Sequence, residues 1–281
     1  METNSRSNDD ETKPASGEFS SLEKSQEFTW NWKDLLIIFF GILGILFLGV
    51  LIFFLINFIS GEKLEDLVKP TITQTLLLTS LEVIALILGV YLFGIRRRNY
   101  KWDAVGIRST TWPWVLISIT VTLILIPVVS LVTLLILFLS GQPMENPQLD
   151  FLLPEGLSAM NAIFMLILAG IIAPFGEELL FRGVLYTFLR ERWGIWLGVI
   201  VSSLIFGLIH GNLAVGITGF LLGIVAALIF EYSKSLWTAV IVHAINNSLK
   251  IALLYFLVLI PLLSEWVVLA EPEVVPFHHR L

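Results

Sequence analysis

Of 281 residues, 56% are apolar and only 14% charged, and the mean hydropathy is strongly positive. Soluble domains run at roughly 45–50% apolar and about 25% charged, so a water-soluble fold is excluded and an integral membrane protein is expected. The net charge of -6 averages over segments in different surroundings and points to no nucleic-acid partner, and the lack of cysteine removes disulfides, Cys-ligated zinc and a cysteine nucleophile.

Residues 1–30 form a polar tail rich in Ser, Glu and Asp, with no apolar core or cleavage site of a secretory signal, and are expected to be disordered. Apolar runs follow at 35–58, 72–95, 113–139, 159–189, 195–213, 215–230 and 236–262. A span needs about 20 apolar residues to cross a core roughly 30 Å thick, so the expected fold is an all-α polytopic bundle of about seven transmembrane helices, within a range of six to eight. The sixth run is short. Its Gly216, Gly219 and Gly223 favour close helix contact, hence a protein-surrounded helix; a re-entrant hairpin over 211–230 is the alternative. Residues 264–281 read as a C-terminal tail.

Basic clusters at 96–101 and 190–192, with Lys234 and Lys33, fall at one set of helix ends, whereas residues 140–158 carry three acids and no Lys or Arg. By the positive-inside rule the basic side is cytoplasmic, and so is the N-terminus. No Pro- or Gly-rich linker divides the chain. Residues 31–142 hold almost no polar intramembrane residue except Glu82, whereas the candidates for chemistry lie between 177 and 247. The chain therefore reads as a scaffold, 31–142, followed by a working region, 143–263.

The working region contains "APFGEELLFRGVLY" at 173–186. A charged side chain at a helix centre costs at least about 2.5–3.5 kcal/mol, so such residues face the bundle interior and have partners. Glu178 and Arg182 are four apart, which lets them neutralise each other. Glu177 points about 100° away and needs another partner or another task. Downstream, "FGLIH" places Phe206 and His210 on one helix face, and "HAINN" does the same for His243 and Asn247.

A buried carboxylate can take a proton from water that an imidazole orients, while a second imidazole and an amide donate to the oxyanion formed at a carbonyl. The same residues can instead be read as ligands of a divalent metal such as zinc, with Glu177, His210 and His243 as the set. The H-E-x-x-H pattern is absent, and sequence leaves the two mechanisms open. One measure disagrees with a single site. Counting about 1.5 Å per residue from ends at 189, 195 and 236 puts Glu177 about 18 Å deep, His210 about 22 Å and His243 only about 10 Å.

Taken together, E-E-x-x-x-R at 177–182, F-x-x-x-H at 206–210 and H-x-x-x-N at 243–247 resemble the CPBP intramembrane proteases, the group that includes CAAX prenyl endopeptidases and bacteriocin-processing or self-immunity proteins. The likeness covers about residues 143–255, and "ENPQ" at 145–148 is similar to the segment that precedes the first motif in bacterial members. It implies an intramembrane endopeptidase of a bacterial-type plasma membrane, acting on a membrane-associated protein or peptide among membrane lipids. It also implies that Glu177 is the general base, that His210 holds the water and that His243 and Asn247 stabilise the oxyanion. Glu178, Arg182 and Phe206 would support them. Two readings from other classes are a non-catalytic immunity or membrane binding factor with this fold, and a proton-coupled transporter.

Overall fold

A computed structural model describes residues 29–61, 71–142 and 159–270, with 258–270 by backbone alone. Among these residues there is no strand, and seven helical rods carry the fold. They are α1 (Trp32–Ile59), α2 (72–96), α3 (Trp112–Ser140), α4 (159–193), α5 (195–208), α6 (Leu213–Ser233) and α7 (Leu236–Ala270). The all-α membrane bundle expected from composition is what forms. The segment "ENPQ", most of the N-terminal tail and the last residues of the C-terminal tail lie outside the described residues.

Local sequence sets the helix ends. Asn31 accepts from the Asp34 N–H while Asp34 accepts from the Asn31 N–H, and Thr71 and Gln74 make the same reciprocal box at the start of α2. Asn212 caps α6. The continuous apolar helical stretch Met160–Leu208 is too long for one crossing. It is divided at Gly194, whose φ of 79° takes the left-handed region that glycine enters freely. This produces the break between the fourth and fifth spans.

The sixth helix is longer than its apolar core suggests. At 21 residues it reaches about 31 Å at 1.5 Å per residue, enough to cross, so no hairpin forms at 211–230. Its glycines face protein. A Cβ on Gly207 of α5 would come within 2.5 Å of the Gly216 carbonyl, and one on Gly223 would meet the Ser203 Cβ at 2.9 Å and Arg182 Nη2 at 3.1 Å. The α5–α6 crossing is therefore a close backbone approach that larger residues would force apart.

Ion pairs fix the basic end. Asp34, buried at the foot of α1, pairs with Arg97 and Arg98 beyond α2. Glu231 on α6 accepts from the Tyr186 hydroxyl at 3.0 Å, Arg190 at 2.9 Å and Lys234 at 2.7 Å. Trp30, which falls within the expected N-terminal tail, is fully buried; its indole N–H donates to the Gly183 carbonyl and its own carbonyl accepts from Arg192. The segment just before α1 is thus fastened to α4.

The depth mismatch of His243 also resolves here. A short helical turn, Trp102–Val105, tucks under the bundle, and a Cβ on Gly183 would lie 2.9 Å from the Val105 Cβ. Next to it, the Gly106 carbonyl accepts from the Leu236 N–H at 2.7 Å, and Ser235 Oγ donates to the Arg108 carbonyl. The 102–108 turn occupies the level where α7 would otherwise start. Helix α7 therefore begins inside the bundle, near Gly183 and well above the foot of α4. Seven residues along α7 then bring His243 to Glu178, so the end at 236 was the wrong zero for that count.

Candidate active site

Two π-helical turns frame the acidic stretch of α4, at Leu168–Ile172 and Phe181–Tyr186. The first has a readable cause. Pro174 has no N–H to give to the Gly170 carbonyl four residues back, and that carbonyl accepts instead from Ser248 Oγ of α7 at 3.1 Å. The neighbouring Ala169 carbonyl accepts from Asn247 Nδ2 at 3.4 Å, and Asn246 Nδ2 donates to Asn247 Oδ1 at 3.0 Å. The widened turn thus presents backbone acceptors to α7 and holds Asn247. In the second π-turn, Thr187 Oγ1 donates to the Arg182 carbonyl, and the Gly183 carbonyl is left for Trp30. Widened turns of this kind often accompany functional positions.

Between these turns the charged side chains meet α5, α6 and α7. Glu178 is 0% exposed and Arg182 1%. The guanidinium donates to Glu178 Oε1 at 2.9 Å and to the Gly223 carbonyl at 3.0 Å, and it stacks over the Phe206 ring at 4.8 Å. The expected i, i+4 pair is present, with two further partners that spacing did not reveal. Glu178 has a second task as well. The same Oε1 lies 2.8 Å from His243 Nδ1, and because an ionised carboxylate only accepts, Nδ1 carries the proton. Glu178 therefore fixes the ring of His243 as well as neutralising Arg182.

With Nδ1 committed, His243 turns Nε2 towards Glu177, 3.9 Å from Oε2. That is beyond a direct hydrogen bond. Oε2 of each glutamate is buried and has no hydrogen-bond partner among the described residues, but the two side chains differ in pairing and access. Glu178 is bonded twice through Oε1 and sealed in, whereas Glu177 approaches a cation no closer than 3.9 Å and keeps 16% exposure. Adjacent in sequence, they are opposite in state: one is clamped, and the other has an oxygen free beside an oriented imidazole.

Phe206 spaces the two histidines. Its ring meets that of His243 edge-on at 5.5 Å and that of His210 at 5.1 Å. His210 Nδ1 contacts the Phe206 carbonyl of its own helix at 2.8 Å, and a Cβ on Gly219 would touch the same ring at 3.6 Å. This holds the imidazole half-buried with Nε2 unengaged. Glu177, Glu178, Arg182, Phe206 and His243 are joined by direct contacts; Asn247 is one turn along α7 from His243, and His210 adjoins the group through Phe206.

The metal reading fits less well. Among the described residues no three His, Cys, Asp or Glu side chains are grouped to hold an ion. Of the candidate ligands, His243 gives Nδ1 to Glu178 and keeps Nε2 free, as a metal-bound histidine also does, and His210 contacts Phe206. Among the described residues these donors do not stand as a ready three-ligand set of the kind catalytic zinc uses.

Sequence reasoning did not find the Gly223 carbonyl, the acceptors of the first π-turn or the link from Glu178 to His243. Pro174 was the available signal for the second of these.

Two curated proteins are similar over part of the chain. One, from Bacillus subtilis (strain 168), bears the name "Putative membrane peptidase YdiL" and is 27% identical over 109 residues, 38% of this chain and 42% of its own length. The other, an "Uncharacterized 24.3 kDa protein" of Escherichia coli, is 33% identical over 113 residues, 38% of this chain and 52% of its own length. The chain thus spans about half the length of the curated relatives it matches. No solved structure matches. Residues 159–249, which carry every motif from Glu177 to Asn247, match the type II CAAX prenyl endopeptidase Rce1-like family, and the resemblance to CPBP-type membrane proteases holds over the segment that builds the site.

Proposed function

We propose that this protein is an intramembrane endopeptidase in which Glu177 activates water to hydrolyse a peptide bond of a membrane-associated protein or peptide. The observation that carries the reading is the free Oε2 of Glu177, without a hydrogen bond and facing Nε2 of an imidazole anchored from behind by Glu178. A buried polar atom left unpaired costs about 1–3 kcal/mol. For Glu178 the ion pair on the other oxygen offsets that cost; for Glu177 nothing comparable does, so its retention calls for a task. The 3.9 Å between Glu177 Oε2 and His243 Nε2 is a distance that a water bonded to both can bridge.

In the reaction, Glu177 takes a proton from water as the oxygen adds to the scissile carbonyl carbon. His210, through Nε2, steadies that water from the α5 side. The oxyanion is met by one N–H of Asn247 Nδ2 and by Nε2–H of His243. As the C–N bond breaks, the proton held by Glu177 passes to the leaving amine. Glu178 and Arg182 hold these groups in place and touch no reacting atom. The orientation with the basic end in the cytoplasm belongs to the same proposal and would place the site roughly midway through the bilayer.

The test is hydrolysis of a membrane-anchored peptide library by the full chain in lipid vesicles. Wild type should release fragments, and Glu177→Gln should not, while remaining folded by size-exclusion chromatography. Cleavage that survives in Glu177→Gln overturns the assignment. Binding of peptides with no cleavage by wild type would support the non-catalytic binding factor instead.

A further inference from the structure

Glu82 lies in the scaffold half and takes no part in the chemistry above, yet it belongs to the same site. On α2 the lipid-facing stripe includes Leu77, Ile84 and Leu88, all exposed, and the buried positions include Thr75, Thr79, Val83, Ala85, Leu86 and Gly89. At about 100° per residue Glu82 falls at the centre of the buried arc, opposite the lipid stripe. It is nevertheless exposed. An exposed residue in the middle of an inward face lines a cleft inside the bundle.

That cleft is the one beside Glu177. Gly176 packs against α2, with Leu86 and Ile87 at 3.4 and 3.7 Å from the position of a Cβ. Glu82 is one turn from Leu86, and Glu177 follows Gly176, so the α2–α4 contact sets the two carboxylates within about two helical turns of each other along the bundle. An independent feature lies on the same face. Thr75 and Thr79 are 0% and 5% exposed, and their hydroxyls have no hydrogen-bond partner among the described residues. They lie about 20° and 60° from Glu82 around α2, so they continue the polar face away from the basic end. Glu82, Thr75 and Thr79 form one polar wall, and two of its three side chains are buried without a hydrogen-bond partner among the described residues.

The charge of the cleft selects that ligand. Arg182 is already engaged by Glu178 and the Gly223 carbonyl. Lys250, seven residues beyond His243, is about 10 Å further along α7 and forms no ion pair with Glu82 among the described residues. Glu177 has His243 within 3.9 Å, whereas no ion pair engages Glu82 among the described residues, so Glu82 is the acid of the cleft open to a cationic side chain.

The geometry points to Glu82, with Thr75 and Thr79, as the subsite that receives a lysine or arginine side chain of the substrate peptide next to the scissile bond. The carboxylate pairs with the cation, and the threonine hydroxyls take the adjacent peptide groups. This specificity role rests on the peptidase reading of Glu177, and its test separates the two.

Fluorescent membrane-anchored peptides that differ only by Lys, Gln or Glu at each position around the cleaved bond are titrated against the full chain carrying Glu177→Gln in nanodiscs. The Lys peptides should bind about tenfold more tightly than their Gln counterparts. Adding Glu82→Gln should remove that preference, and Glu82→Lys should reverse it in favour of Glu peptides. Thr75→Val with Thr79→Val, which keep the side-chain shape, should weaken binding of all peptides alike, about threefold. A Lys preference that is absent, or that persists in Glu82→Gln, overturns the subsite. Cleavage is read separately with Glu177 restored. A charge preference set by Glu82 without hydrolysis would uphold the subsite and sink the peptidase reading, whereas hydrolysis indifferent to charge would do the opposite.

Discussion

Two regions of this molecule hold carboxylates inside the bundle, and they treat them differently. At the basic end Glu231 is met by Tyr186, Arg190 and Lys234, and both cations are well exposed, at 39% and 54%. In the middle of the bundle Glu178 has partners as close, Arg182 and His243, but all three groups are shut away from solvent. Between these paired acids stands Glu177, open to the cleft and with an oxygen that nothing bonds. Pairing and access, more than burial, distinguish the acids that hold the fold from the one proposed to react.

The sharpest way to break this contrast is to neutralise the free acid. Glu177→Ala should lower turnover by about 10²–10⁴, the range for removal of a general base, and should leave the thermal midpoint of the detergent-solubilised protein unchanged or raised. A variant that is both inactive and unfolded would place Glu177 with the structural acids.

The second variant strikes the paired acid of the interior. Arg182→Met leaves Glu178 charged and buried beside a neutral side chain, and breaking a buried pair in this way costs about 3–5 kcal/mol. Thermal unfolding should show the loss, and Glu178→Gln added to it should recover part of the stability because no charge is then left alone. If Arg182→Met unfolds like wild type, the pair does not hold the helix.

Asn247→Ala should lower kcat by about 10²-fold with little change in KM, as for an oxyanion donor. A change confined to KM would make Asn247 a substrate contact. The smallest effect is expected at the basic end. Glu231→Gln loses pairs whose cations reach water, each worth about 0.2–1 kcal/mol, so its midpoint should fall less than that of Arg182→Met and turnover should be nearly unchanged.

The membrane class, the helix positions and the pairing of Glu178 with Arg182 were legible in the sequence because each depends on local order: apolar run length, glycine and capping residues, and i, i+4 spacing. What was not legible depends on which helices touch. Spacing shows that Glu178 can reach Arg182 but not that it also grips His243 across the bundle. The depth of His243 was misjudged because α7 begins on top of the 102–108 turn, a tertiary fact that no count along one helix contains. Glu82 was visible as an oddity in a plain scaffold, but its place beside Glu177 needed the α2–α4 contact at Gly176. Pro174 is the middle case: its missing N–H was in the sequence, and the use α7 makes of the freed carbonyl was not.

In the proposed reaction Glu177 acts on water and not on the substrate carbonyl. A single turnover of the full chain in ¹⁸O-labelled water, followed by mass analysis of both product and protein, tests it directly. Direct attack by water leaves one labelled oxygen in the new carboxylate of the product and none in the Glu177 side chain. Label found in Glu177 would reveal a covalent acyl intermediate on that residue and would rule out its role as a general base.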